Sequence, residues 1–111
     1  MKSADDSTFS VRVEVDSDGN APAELTLAGE LDAHAAGQLD EAIDSALGAG
    51  AAGLVIDLDG VTFIDSSGLR SLIRARQRLG DDPDALALRN PQAATIRLLE
   101  ITGLTDHFPI R

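Results

Sequence analysis

The stretch Leu54-Val-Ile-Asp-Leu-Asp-Gly-Val-Thr-Phe-Ile-Asp-Ser-Ser-Gly-Leu69 decides the fold. Leu54 to Leu58 is too apolar for a strand with one wet face, so it is expected to lie centrally in a covered sheet. A short turn is expected next, with Asp57 and Asp59 as turn and surface acids at the strand end. Asp65, Ser66 and Ser67 then open a helix, offering more capping oxygens than one helix end needs. Gly68 removes side-chain bulk beside them and is expected to open the backbone to a close-fitting partner. A serine hydroxyl in this setting is either an ordinary cap or a place where a phosphate can be added.

On the N-terminal side, Phe9 to Asp16 alternates apolar and polar residues, the pattern of a strand with one wet face. Ser17 to Pro22 is turn chemistry, and Leu25 and Leu27 alternate with Thr26 and Ala28 in a second strand, giving a hairpin. Asp32 caps a helix whose Ala36, Leu39, Ile43, Ala46 and Leu47 share one face, and Gly48 and Gly50 stop it. On the C-terminal side, a helix burying Leu69, Leu72, Ile73 and Leu79 ends at Gly80. A loop over Asp81–Asp84 leads to a strand at Ala85–Leu88. Asn90-Pro91 predicts a helix start, with asparagine as cap and proline at the first helical position. That helix is expected to end at Gly103 in a Schellman turn, with Leu104 reaching back to Leu99. His107 to Ile110 is expected to pair at a sheet edge.

The predicted order is β-β-α-β-α-β-α, an α/β fold with one mixed sheet of four to five strands and helices against it. At 111 residues and 43% hydrophobic composition, the chain fits one domain with its own core, preceded by a loose tail over 1–7. It has no cysteine, so disulfides and thiolate chemistry are excluded. No apolar run approaches the roughly 18 residues that span a bilayer, and no secretory signal opens the chain, so a cytoplasmic protein is expected. A formal charge of −10 argues against general nucleic-acid binding. Arg70, Arg74 and Arg78 recur at intervals of four and form one helical stripe. That stripe is either a solvated face or a contact surface for an acidic partner or a nearby phosphate.

Enzymatic readings fail on inventory. A serine hydrolase needs a base and a nucleophile elbow; only His34 and His107 are available, and no Gly-x-Ser-x-Gly occurs. A phosphoaspartate receiver centred on Asp57 needs an acidic pair after the first strand and a lysine. Asp5 and Asp6 precede that strand, and Lys2 is the sole lysine. No phosphate-cradling glycine loop, metal signature or cofactor site is present. A phosphate on Ser66, by contrast, would add about −1.5 to −2 charges beside Asp65. Arg70, four residues on, is in position to face it.

Three blocks in order resemble the STAS domain of the anti-sigma factor antagonist family. They are Leu27-Ala-Gly-Glu-Leu-Asp32 running into Leu39; Leu54 to Leu58 through Ile64-Asp-Ser-Ser-Gly-Leu69; and Leu88-Arg-Asn-Pro91 followed by Arg97 to Leu104 and Phe108. The resemblance implies a small α/β domain with helices on one side of the sheet, and Ser66 as phosphoacceptor. It further implies an anti-sigma factor, itself an ATP-dependent serine kinase, that binds the unphosphorylated chain and thereby frees a sigma factor. A metal-dependent serine phosphatase restores the serine; ATP and Mg²⁺ belong to the kinase, and the chain itself is not an enzyme. The contact surface is expected to combine Asp65, Ser66, Ser67, Gly68, Leu69 and Arg70 with Gly29, Glu30, Leu31 and Asp32. A STAS scaffold without serine switching is the alternative. Two departures stand out. Family members often have a small residue in place of Arg70, which leaves partner choice open. Many relatives also continue beyond Ile110-Arg111 into a short helix, so an edge of the sheet is expected to be less covered.

Overall fold

The computed structural model describes residues 9–16, 21–80, 82 and 84–111. The tail expected over 1–7, the tip of the hairpin turn at 17–20, and residues 81 and 83 of the following loop lie outside the described residues. The elements are β1 (Ser10–Glu14), β2 (Ala23–Leu31), α1 (Ala33–Gly48), β3 (Leu54–Ile64), α2 (Ser66–Arg78), β4 (Leu86–Arg89) and α3 (Ala93–Thr102), then a 3-10 turn at Thr105–His107. The sheet order is β1-β2-β3-β4, with β1 antiparallel to β2 and the other pairs parallel. This is the predicted arrangement.

Register explains the one-sided helix layer. Val13, Leu25, Ile56 and Leu88 line up across the four strands. That row joins Leu39 and Ile43 of α1, Leu69 and Leu72 of α2, and Leu99 of α3 in one hydrophobic core. The next row, Arg12, Thr26, Asp57 and Arg89, faces the opposite side, away from that core. There Arg89 pairs with Glu24 at 3.2 Å, passing over β3 where Val55 lies. Charged stems can cover apolar surface in this way, and Val55 is buried.

β3 departs from the expected short strand and turn. It continues through Asp59 and Gly60 to Ile64, using 11 residues where β2 uses 9. The register steps from Thr26–Asp57 to Ala28–Gly60, and from Gly29–Val61 to Glu30–Phe63. Each step places one extra residue in β3, a β-bulge. The turn chemistry is real but serves the first bulge: the Asp59 N–H donates to Asp57 Oδ1 at 2.9 Å. Opposite the second bulge, Gly29 has φ 104, a conformation open to glycine and strained for other residues.

The start of α3 also differs from expectation. Asn90 takes a left-handed conformation (φ 54) that turns the chain out of β4, so it does not cap the helix. Asparagine tolerates this region better than most residues. The helix begins at Ala93, after Gln92 at the cap position, and has no side-chain cap. The amide of Gln92 instead donates to the Asp59 carbonyl, tying α3 to the β3 bulge. The far end is as predicted: Gly103 has φ 74, and the Leu104 N–H donates to the Leu99 carbonyl at 2.8 Å. The C-terminal residues do reach the β4 edge. The Leu88 N–H donates to Pro109 O, and the Arg111 N–H to Leu88 O, both at 2.8 Å. This is an isolated bridge at Ile110, short of a full fifth strand.

Candidate functional site

The carboxyl ends of parallel strands are where α/β folds place their binding crevices, because helices start there and loops are free to vary. β2 and β3 end side by side here, with Glu30 opposite Phe63 and Leu31 opposite Ile64. The Asp65 N–H donates to the Leu31 carbonyl at 3.3 Å, joining the two strand–helix junctions. The two segments expected at the contact surface, 29–32 and 65–70, are therefore brought together.

Both helices start on aspartate. Asp32 Oδ1 accepts the Ala35 N–H at 3.0 Å. Asp65 Oδ1 accepts from Ser67 N–H at 2.9 Å and Gly68 N–H at 3.2 Å. The sequence left open which of Asp65, Ser66 and Ser67 caps α2; the geometry assigns it to Asp65. Ser66 is the first helical residue, exposed, and its hydroxyl makes no hydrogen bond among the described residues. Ser67 is half-buried.

The expected surface divides in two. Glu30, Ser66 and Arg70 are exposed, and Gly29, Asp32, Asp65 and Ser67 are partly so. Leu31, Gly68 and Leu69 point inward, with Leu31 and Leu69 in the core. The expectation that Gly68 opens the backbone to a partner is corrected here. A Cβ at Gly68 would stand 2.6 Å from Leu31 Cγ and 2.7 Å from Leu31 O. The chain's own β2 fills the space.

The arginine stripe divides too. Arg74 Nη2 pairs with Asp40 Oδ2 at 2.6 Å, and Arg78 pairs with Asp44, both acids on α1. These pairs are largely exposed, so each contributes about 0–1 kcal/mol. Arg76 donates to the carbonyls of Gly80 and His107 at 3.0 and 3.1 Å, holding the C-terminal segment against α2. Arg70 alone of the stripe has no ion pair or hydrogen bond among the described residues. Of the two histidines, His34 lies exposed on the first turn of α1 and His107 in the 3-10 turn.

Sequence reasoning passed over Phe63. It is 47% exposed, whereas Phe9 and Phe108 are buried. Val61-Thr-Phe-Ile64 gives no hint of this, since aromatic and aliphatic residues look alike until the bulge is seen. The extra residue Thr62 lets Val61 and Ile64 both face the core, and Phe63 is turned out.

Residues 12–111 match the family model for the STAS domain. The anti-sigma-B factor antagonist of Listeria monocytogenes is 34% identical over 79% of this chain and 77% of its own length. The chain belongs to the STAS domain family of anti-sigma factor antagonists. An anti-sigma factor antagonist from Mycobacterium paratuberculosis superposes with a TM-score of 0.80 at 31% identity, over 95% of this chain and 86% of that one. The antagonist SpoIIAA, solved in its unphosphorylated form, has TM-score 0.73 at 21% identity, covering 92% and 88% of the two chains. Its phosphorylated form gives 0.67, and at this identity both attest the fold.

Within this STAS domain the cap is directly testable. Asp65→Ala removes the acceptor for two helix-start donors and is expected to destabilise by about 1 kcal/mol, lowering the melting temperature by roughly 4–8 °C. Asp65→Asn keeps an acceptor and should melt close to the parent. Thermal denaturation followed by circular dichroism separates the two; equal melting of Asp65→Ala and the parent would contradict the cap.

Proposed function

We propose that this STAS domain is a phosphorylation-switched anti-sigma factor antagonist, with Ser66 as its switch. The observation carrying this reading is that Asp65 takes the capping duty and leaves the Ser66 hydroxyl exposed and unbonded. The name of the Listeria relative and the existence of SpoIIAA in two phosphorylation states support it. In its unphosphorylated form the domain binds an anti-sigma factor through Glu30, Asp32, Asp65, Ser66 and Arg70, and the sigma factor is released. That anti-sigma factor is an ATP-dependent serine kinase acting in the cytoplasm. The transfer moves the γ-phosphoryl of ATP onto Ser66 Oγ; ADP leaves, and the hydroxyl proton passes to a base of the kinase. A metal-dependent phosphatase hydrolyses the ester and returns the serine.

The switch is electrostatic. The N–H groups of Ser67 and Gly68, which would otherwise receive an anion, already serve Asp65. A phosphate of about −1.5 to −2 charges therefore adds to the Asp65 carboxylate without displacing it from its role. No helix of the described residues is long and apolar enough to cross a membrane.

The test is incubation with a candidate anti-sigma factor kinase and Mg-ATP, followed by intact mass and peptide mapping. The expected result is one phosphoryl group, on Ser66. Modification elsewhere, or none with any kinase able to bind the domain, would favour a STAS scaffold without switching.

A further inference from the structure

The ion pairs between α1 and α2 follow one register. Asp40 meets Arg74 and Asp44 meets Arg78, each four residues further along both helices. One step toward the N-terminus, the same register brings Arg70 to position 36, where α1 carries a buried alanine. The ladder thus has a cation on its first rung and no anion. Arg70 is exposed and without an ion pair or hydrogen bond among the described residues.

Ser66 lies four residues before Arg70 on the same helix. Side chains at this spacing share a face, with Cβ atoms about 5–6 Å apart. Helical side chains also lean toward the N-terminus, so the guanidinium of Arg70 is within reach of the turn that carries Ser66. A planar fork of N–H donors is the geometry that receives a phosphate through paired hydrogen bonds.

We propose that Arg70, the one arginine of the ladder without an acid on α1, is the internal receiver of a phosphoryl group on Ser66, closing onto it within α2. This rests on the reading of Ser66 as the modified residue. It adds a second component to the switch: modification both places a charge at the surface and withdraws from that surface the one arginine of the stripe left free for a partner. The negative groups around the phosphate are Asp65 at the same junction and Glu30 and Asp32 at the neighbouring one. They raise its second pKa, and Arg70 lowers it.

The experiment uses the full chain with phosphoserine installed at position 66 by genetic encoding, titrated by phosphorus NMR. Arg70→Ala is expected to raise the phosphate pKa by about half a unit, the size of an exposed ion pair, and Arg70→Lys to give an intermediate value. Arg74→Ala is expected to change nothing, because Arg74 is held by Asp40. Both arginines are exposed, so the variants fold, as circular dichroism would verify. The comparison is made between arginine variants of one chain. Identical titration of the parent and Arg70→Ala would overturn the proposal, as would an equal shift from Arg74→Ala. Failure of kinases to modify Ser66 would instead sink the proposed function and leave this measurement standing.

Discussion

Gly68→Ala is expected to destabilise the domain by about 1–3 kcal/mol, the range for forcing an extra carbon into a packed site. The added Cβ would lie 2.6 Å from Leu31 Cγ, 2.7 Å from Leu31 O and 3.1 Å from Ile64 Cγ1. None of these is a flexible tip. Leu31 is fully buried, and its carbonyl accepts the Asp65 N–H, so relief requires the start of α2 to lift away from β2. At roughly 4–8 °C per kcal/mol for a domain near this size, the melting temperature should fall by about 10 °C. Gly37→Ala is the matched control: the site lies on the exposed face of α1, and a Cβ there meets nothing within 4 Å. That variant should gain about 0.5–1 kcal/mol from helix propensity. Thermal and urea denaturation of the pair distinguishes close packing from a general intolerance of substitution. Equal melting of Gly68→Ala and the parent would refute the close approach of β2 and α2.

Ser66→Asp is expected to weaken binding to the anti-sigma factor about a hundredfold relative to Ser66→Ala. Juxtaposing like charges in an interface costs several kcal/mol, and about 2.7 kcal/mol already equals a hundredfold. The carboxylate carries a smaller charge than phosphoserine, so the modified protein should bind more weakly still. Stability should move the other way. Ser66 is exposed at the first position of α2, where an acidic group interacts favourably with the helix dipole, by about 0.3–1 kcal/mol. The expected signature is therefore unchanged or raised melting with lost affinity, read by denaturation and by titration calorimetry against the kinase. Comparable affinity of the alanine and aspartate variants would contradict charge as the switch.

Most of the architecture was legible because it rests on local chemistry. Alternation in Phe9–Asp16, the apolar run at Leu54–Leu58 and the Asp32 cap each point to one structure, and all three hold. Gly103 and Leu104 even foretold the bonds that close α3. The misreadings share a physical origin. Asp57-Leu-Asp-Gly60 carries turn signals, yet pairing with β2 on its flank keeps the chain extended, and the signals are spent on a bulge. Asn90-Pro91 has the chemistry of a helix start, but asparagine can equally adopt the left-handed conformation that leaving β4 demands. At the site, the proximity of 29–32 and 65–70 followed from topology. The choice of Asp65 as cap among adjacent oxygens depended on backbone angles, and the burial of Gly68 on the distance between two elements. Neither is encoded in residue type alone.

The two surplus residues of β3 bear on how this chain tolerates changes in length. Each bulge shifts the inward–outward phase by one, and together they restore it, so Leu58, Val61 and Ile64 all face inward. Deleting Thr62 would restore plain alternation between Val61 and Ile64 and expose no hydrophobic residue to water. What would change is the heading of the strand as it delivers Asp65 and Ser66. A deletion at this bulge is thus filtered by aim, whereas one in the regularly paired stretch Leu54–Asp57 would turn buried side chains outward.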